Sequence, residues 1–435
     1  MRSIEAKFSF FKAGQGSFYG GRIYYPETNQ VFTVVYDCGT KGSSQSLNSE
    51  IDYLKQYPYY PNHNNEIELL FISHLDSDHV SGLKRLLTEF RVKKIILPYI
   101  EKKYRQFFLF SIYNNDNSSD NGMSLQDYIS FIDNPARFIS QNSDGTTIYF
   151  IKPNDKIEFG GQNSNNDDDV NESEPIRIQG TPLENGDGEL EFSNELDVLF
   201  YDNNLQFFIK RDWEFTTYVK GVDETAIDNL HSCLKKILGK RDDENLSFCD
   251  LKNIVIDKRS DAHKCYTSCI GDINSYGLVL LHGPIRFKHL FGRIDSDCEL
   301  THYYNNYSYN RFFDGYFRNE NQILLGSLLF GDTSIKPHTN PVDFPSSFKD
   351  KLVNVHVVQV PHHGSSKNWD LNAFQALKIG ENISRWQNHL TAVCNFGYGN
   401  IHGHPSHDVL NDLRSSIFLN SQFSRLNIHY YIVYV

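Results

Sequence analysis

The chain lacks any apolar stretch approaching the 18 or so residues that a membrane-spanning helix needs, so no span is expected. Its first residues, MRSIEAKFSFFKAGQGSFYGG, hold one early arginine but no uninterrupted apolar core and no small-residue cleavage pattern. They do not read as a secretory leader. Cysteine is sparse and odd in number, with 7 residues scattered from Cys38 to Cys394. That pattern fits a reducing compartment better than a disulfide framework, and a cytoplasmic location is expected. Nor is there a basic excess. The 42 lysines and arginines face 54 acidic residues, a formal net charge of −12. Such a chain gains nothing from global attraction to phosphate backbones, which disfavours a broad nucleic-acid-coating role. A local basic groove, or bound dications that dominate the nearby field, would still supply positive charge. No internal repeat is present.

Methionine is also scarce, with 2 residues against 32 Phe and 26 Tyr. Hydrophobic residues make up 39% and aromatics 14% of the 435, which is ample for a packed core and unlike a disordered or fibrous chain. The length allows one large domain with insertions or several smaller ones.

Phe8 to Phe10 and Val31 to Tyr36 are β-rich, and Asp37-Cys-Gly-Thr-Lys-Gly42 follows as a turn-rich loop. Glu68-Leu-Leu-Phe-Ile-Ser73 is a short apolar run ending at His74, as a buried strand would. Val80, Leu83, Leu86, Leu87 and Phe90 then recur at helical spacing, and Arg91 to Leu97 reads as the next strand. Residues from about Tyr104 to Asp127 are polar and Asn-rich, Gly145 to Ile157 suggests a hairpin, and Gln162 to Glu174 is an acidic, low-complexity surface loop. An amphipathic helix is expected between Asp223 and Leu238. Apolar, β-compatible runs return at Tyr276–His282, Gln322–Phe330, Val353–Val360 and Leu426–Val435. The expected organisation is a core in two halves, 1–100 and 271–435, around an insertion-rich region at 101–270.

Within six residues the run His74-Leu-Asp76-Ser-Asp78-His79 offers two imidazoles and two carboxylates on a strand-to-helix loop. Dinuclear metal sites need about this density of nitrogen and oxygen ligands. Asp332, in Phe-Gly-Asp-Thr, and His362-His363, in Val-Pro-His-His-Gly-Ser, also follow apolar strands. A carboxylate between two dications can bridge them. Taken singly, each run has a plainer reading. Asp78 would cap the helix that starts at Val80, Asp332 would be an ordinary turn residue, and His404-Pro405 would be a structural turn in a Gly/Asn-rich loop. Their joint occurrence favours the metal reading.

The run His74-x-Asp76-x-Asp78-His79 resembles the HxHxDH signature of the metallo-β-lactamase superfamily. Asp76 in place of the second histidine is similar to the branch containing the hydrolase domain of ComEC-type competence proteins. Gly14-Gln-Gly-Ser17, Asp37-Cys-Gly39, Asn274-Ser-Tyr-Gly-Leu-Val-Leu280, Phe330-Gly-Asp-Thr333, Val360-Pro-His-His-Gly-Ser365 and His404-Pro405 resemble further motifs of that branch. The likeness covers roughly 1–100 and 270–435. It implies an α/β fold of the metallo-β-lactamase type, an αββα four-layer sandwich with a large insertion and the metals at one edge. It also implies two divalent metal ions, Zn or Mn. His74 and Asp76 would bind one ion, Asp78 and His79 the other, and Asp332 would bridge them. One of His362 or His363 would complete the second site while the other faces substrate. A third histidine for the first metal has no clear counterpart, which leaves that site richer in carboxylate and makes Mn²⁺ a serious rival to Zn²⁺. Asp37 would support the site from behind.

The activity implied is that of a metal-dependent hydrolase, foremost a phosphodiesterase or nuclease using a hydroxide held between two metals, with nucleic acid or a nucleotide as substrate. Asp78, His363 and His404 are the candidate catalytic residues, His404 or the spare histidine serving as general acid or phosphate contact. Two alternatives stand beside it: an esterase acting on a non-nucleotide ester, and a subunit gated by a protein partner docked through 101–270. His263, Cys265 and Cys269, with Cys233 or Cys249 as a fourth ligand, invite a structural zinc, but their spacing is unlike the strong zinc signatures. The Tyr- and Asn-rich stretch Thr301–Asn310 could stack bases, though such a stretch is more often a surface loop.

Overall fold

The computed structural model describes residues 2–56, 65–105, 108–109, 123–153, 175–183, 197–203, 205–221, 224–241, 243–244, 246–269, 277–285, 287, 289–298, 310–316, 326–337, 341–384 and 390–434. The acidic stretch Gln162–Glu174, most of the Asn-rich segment, residues 301–309 and the second arm of the expected 145–157 hairpin lie outside them.

Two large mixed sheets organise the chain. The ten-stranded sheet runs, edge to edge, Val198–Asp202, Thr147–Lys152, Lys94–Pro98, Leu69–Phe71, Gln30–Cys38, Phe18–Tyr25, Arg2–Phe10, Ser424–Tyr434, His289–Cys298 and Asn310–Tyr316. Its first five strands are mutually parallel and the rest antiparallel. The eight-stranded sheet runs Ile417–Asn420, Thr391–Asn395, Val355–Gln359, Gly326–Leu329, Leu278–Pro284, Trp213–Val219, Gln206–Ile209 and Ile176–Gln179. Here too the first four strands are parallel. Residues 101–270 thus supply strands to both sheets as well as helices.

The pleat explains why the central strands read as unbroken apolar runs. Successive side chains point to opposite faces, and a strand covered on both sides must be apolar at every position. Leu69 and Phe71 enter a core shared by the two sheets while Leu70 enters a second core. Ile96 and the pair Ile95/Leu97 divide in the same way. In the other sheet Leu278 and Leu280 face the shared core, and Val279 and Leu281 face a third. The second core backs onto helices through Leu47, Ile51 and Leu54 of Ser44–Gln56 and through Leu86 and Leu87 of Leu83–Glu89. The third is covered by Phe348 and Leu352 of Ser346–Leu352 and by Val409 of His407–Leu413. Each fully buried Leu or Phe contributes about 1.5–3 kcal/mol of transfer free energy.

The apolar spacing from Val80 to Phe90 predicts one helix, but the structure breaks it into Ser77–Val80 and Leu83–Glu89. Gly82 sits at the break because its N–H donates to the Cys38 carbonyl at 2.8 Å, and a Cβ there would lie 2.5 Å from Cys38 Sγ. A further departure concerns cysteine. Cys233 and Cys265 form a disulfide between the helices Glu224–Leu238 and Arg259–Cys269, against the expectation of free thiols. The pairing takes Cys265 out of the structural-zinc reading, and it joins residues 32 apart in sequence that only helix packing brings together. Among the described residues no helix is long and apolar enough to cross a membrane.

Candidate metal centre

Five loops meet beyond the C-terminal ends of parallel strands, the place where open α/β sheets generally build sites. Asp37 closes Gln30–Cys38, and the 74–79 loop follows Leu69–Phe71. Asp332 follows Gly326–Leu329, His362 and His363 follow Val355–Gln359, and Asn395 ends Thr391–Asn395. The Gly14–Ser17 turn locks the arrangement from one side. Ser17 N–H donates to the Asp78 carbonyl at 3.0 Å, and Gly39 N–H donates to the Ser17 carbonyl at 2.9 Å. A Cβ on Gly39 would lie 2.5 Å from the Asp78 carbonyl carbon and the His79 nitrogen, so only glycine lets these backbones meet.

Ligand-type atoms of Asp78, His79, Asp332 and His363 all lie within 4.8 Å of one another, and all four residues are buried. His79 Nε2 is 3.2 Å from Asp332 Oδ1, and His363 Nε2 is 3.2 Å from Asp78 Oδ2. Asp332 Oδ2 faces His74 Nε2 at 3.6 Å and His362 Nε2 at 3.7 Å. Asp332 therefore lies between His79 and His363 on one oxygen and between His74 and His362 on the other. Of the histidine pair, His363 joins the four-residue cluster and His362, 15% exposed at its side chain, lies at its rim.

The rings are held from behind in one tautomer. Ser73 Oγ donates to Asp37 Oδ2 at 2.7 Å, which commits its only proton. His74 Nδ1, 2.9 Å from that Oγ, must then donate to it. His79 Nδ1 lies 2.7 Å from Asp37 Oδ2 and His363 Nδ1 lies 3.0 Å from the Asn395 carbonyl, both acceptors only. Each Nδ1 thus keeps its hydrogen and each Nε2 turns a lone pair inward, the arrangement that metal-bound histidines use. Asp37, His362 and His363 all have left-handed backbone (φ 56°, 44° and 52°), a conformation that costs non-glycine residues energy and clusters at functional sites.

Charge in the cluster is unbalanced. Asp37, Asp76, Asp78 and Asp332 are all buried, and Lys41 reaches one of them, with Nζ 2.9 Å from Asp78 Oδ1. Burial would lift the Asp78 carboxyl, but Lys41 and His363 outweigh it and hold it well below the usual range. Asp332 is likewise held low, as His362, His79 and His363 overcome its burial. Burial pushes His79 down, yet Asp332 and Asp37 raise it well above an ordinary imidazole. His74 goes the other way, lowered by burial and then by His79. His74 Nε2, His79 Nε2 and both Asp332 oxygens are buried without a properly aligned hydrogen bond. Buried polar atoms are almost always hydrogen-bonded, and carboxylates in excess of cations are costly to bury. Divalent cations would remove both penalties, so the residues fit a metal centre.

Asp76, buried, is the N-cap of Ser77–Val80 without a side-chain capping bond, and its charge helps raise the Lys41 ammonium, which burial alone would lower. Asp78 lies inside that helix, so the plainer reading of Asp78 as its cap does not apply. His404 stands at the rim, its ring 5.5 Å from His362 and 6.4 Å from His363. Burial, followed by the charges of His362, His363 and His402, lowers it to about 3. Sequence reasoning assigns no role to Lys41, Ser73, Asn395 or His402. Lys41 had one available signal, its place four residues after Asp37 in the same turn-rich loop.

A sequence model of the metallo-beta-lactamase superfamily matches residues 30–171. The match includes Asp37, Lys41 and the 74–79 run, while Asp332, His362, His363 and His404 lie outside it and are joined to it by the fold. A search of curated proteins gave no match.

Proposed function

We propose that the chain is a metal-dependent phosphodiesterase or nuclease of the ComEC-like kind, with its sheets and helices layered helix, sheet, sheet, helix. Two divalent ions, Zn or Mn, are held by His74, Asp76, Asp78, His79, Asp332 and His363. The observation that carries this reading is the convergence of His74, His79 and Asp332 on one another through buried atoms that lack hydrogen bonds. When bound, the metals supply an activated water and Lewis acidity toward a phosphoryl oxygen.

The chain's own groups do the rest. Asp37 and Ser73 fix the His74 and His79 rings, Asn395 fixes His363, and Lys41 compensates Asp78. His362 and His404, at the rim, contact the phosphoryl oxygens or the leaving group. A phosphodiester is favoured over a neutral ester because Lys41 and three rim imidazoles, His362, His402 and His404, surround the cluster with donors suited to an anion.

Metal analysis combined with hydrolysis of bis-p-nitrophenyl phosphate tests this. Purified protein should carry close to two equivalents of Zn or Mn and turn the substrate over, and Asp332→Ala should lose both. Absence of bound metal under reconstitution, or a folded Asp332→Ala protein with undiminished turnover, rejects the proposal.

A further inference from the structure

The rim histidines His402 and His404 stand on a loop, 397–406, that is tied down at both ends. At its start Gly397 N–H donates to Gln15 Oε1 at 3.1 Å, and at its end Ser406 N–H donates to the Gly364 carbonyl at 2.9 Å. The second tie fastens the loop to the residue after His363. Between the ties the backbone has little hold of its own. Gly399 and Gly403 both take left-handed backbone (φ 79° and 68°), and among the described residues no backbone–backbone hydrogen bond holds 401–405.

One side chain supplies the missing hold. Asn400 Oδ1 accepts from the backbone N–H of His402 at 3.1 Å and from that of His404 at 3.2 Å. Its Nδ2 donates to the carbonyls of Gly397 at 2.9 Å and His404 at 2.7 Å. Two N–H groups on one side and two carbonyls on the other decide which way the amide points. The amide spends both donors and both lone pairs, and it grips residue 404 by its N–H and its carbonyl alike. The ring that this backbone carries lies 5.5 Å from His362, and 6.4 Å from His363 at 19° to its plane. An aspartate of the same shape has no donor, and its oxygens would face both carbonyls.

We infer that Asn400 is a positioning residue, acting on the reaction through His404 by fixing where that imidazole meets the substrate. The inference rests on the phosphodiesterase reading and deepens it, since the rim histidine then depends on a second residue for its place.

The test is a double-mutant cycle on turnover of bis-p-nitrophenyl phosphate by the zinc-loaded full chain, with histidine-selective NMR beside it. Asn400→Asp should lower kcat/KM by about tenfold or more, the cost of misplacing one hydrogen bond to a charged group. In a His404→Ala background the same change should cost less than about twofold, because residues that act as a unit are not additive. Asn400→Ala, which is neutral and has no donor, should behave like the aspartate variant in both backgrounds. The His404 ring signal, assigned by its loss in His404→Ala, should move in both Asn400 variants, while that of His282, buried between the sheets, stays in place. Equal losses with and without His404, a His404→Ala protein at wild-type turnover, or a folded Asn400 variant with an unmoved His404 signal each overturns the positioning role. A wild-type protein without turnover rejects the phosphodiesterase reading. The ring signal then judges the clasp by itself: movement in both variants supports it, and no movement overturns it.

Discussion

The carboxylate of Asp37 lies 2.7 Å from Nδ1 of His79, and this contact decides which nitrogen of the ring faces Asp332. Replacing Asp37 with Asn keeps the shape of the support but weakens its hold on the Nδ1 hydrogen. Loss of such an outer partner typically costs about 10- to 100-fold in metal affinity. Asp37→Asn should therefore show that loss in a competition titration against a chromophoric chelator. An affinity within twofold of wild type counts against the assigned tautomer.

Metal removal should destabilise the fold, because among the described residues the buried carboxylates then face Lys41 as the one lysine paired with the cluster. At a metal concentration about 100 times Kd, binding to the native state contributes about 2.7 kcal/mol. A chelator should lower the melting temperature by several degrees, and added Zn²⁺ or Mn²⁺ should restore it. An unchanged melting curve by calorimetry would falsify the coupling.

Gly39→Ala tests the turn that cradles the 74–79 loop. Its methyl would press on the backbone of Asp78 and His79, where no side chain can swing aside. Overpacking of this kind typically costs about 1–3 kcal/mol, and the displaced loop should lose metal before the fold is lost. Metal content and urea midpoint, measured together, show the order.

Stability should also depend on pH through residues between the sheets, away from the cluster. Trp213 Nε1 donates to His282 Nδ1 at 3.2 Å, so His282 Nε2 carries the hydrogen toward the Tyr19 hydroxyl at 2.9 Å. Burial, with His356 nearby, lowers His282 to about 3, and burial lowers His356 to about 3 as well. In the unfolded chain both titrate near pH 6.5. Between those values the unfolded state takes up protons that the native state refuses, so stability is full above about pH 6.5 and falls as the solution is acidified toward pH 3. The slope is about 1.4 kcal/mol per pH unit for each group. Urea midpoints should drop between about pH 6 and pH 4, less steeply in His282→Asn. Equal slopes in the two proteins would show that His282 is protonated in the native state.

Much of the site is legible in the sequence because each ligand-type residue follows a β-compatible segment buried on both faces. Leu69–Phe71 before His74 is wholly apolar, and Gly326–Leu329 before Asp332 and Val355–Gln359 before His362 are mostly so, with Ser327, His356 and Gln359 buried among them. Lys41 is barely legible: its place four residues after Asp37 is the one signal, but a lysine in a turn is ordinarily solvated and only the fold brings its Nζ to Asp78. The strand Trp213–Val219 is hidden for a different reason. Its Glu214, Thr216 and Thr217 give it the look of a half-exposed strand, yet every residue in it is buried, and Glu214 is paired with Lys351. The Cys233–Cys265 pairing depends on helix packing that no local pattern encodes. The choice between His362 and His363 rested on backbone direction, which two successive left-handed residues set.

Strand Arg2–Phe10 is bordered by Phe18–Tyr25 on one side and by Ser424–Tyr434 on the other, with Arg2 opposite Tyr434. One flank of the earliest strand thus waits for the latest. Until that seam closes, Ile4, Phe8 and Phe10 have no neighbours along that flank, and the sheet that positions Asp37 and His74 is split into two pieces. Pairings that span nearly the whole chain are slow to form. Completion of the sheet behind the candidate metal centre is thereby timed to the end of folding, so the positions of Asp37 and His74 become fixed only once the last strand has docked.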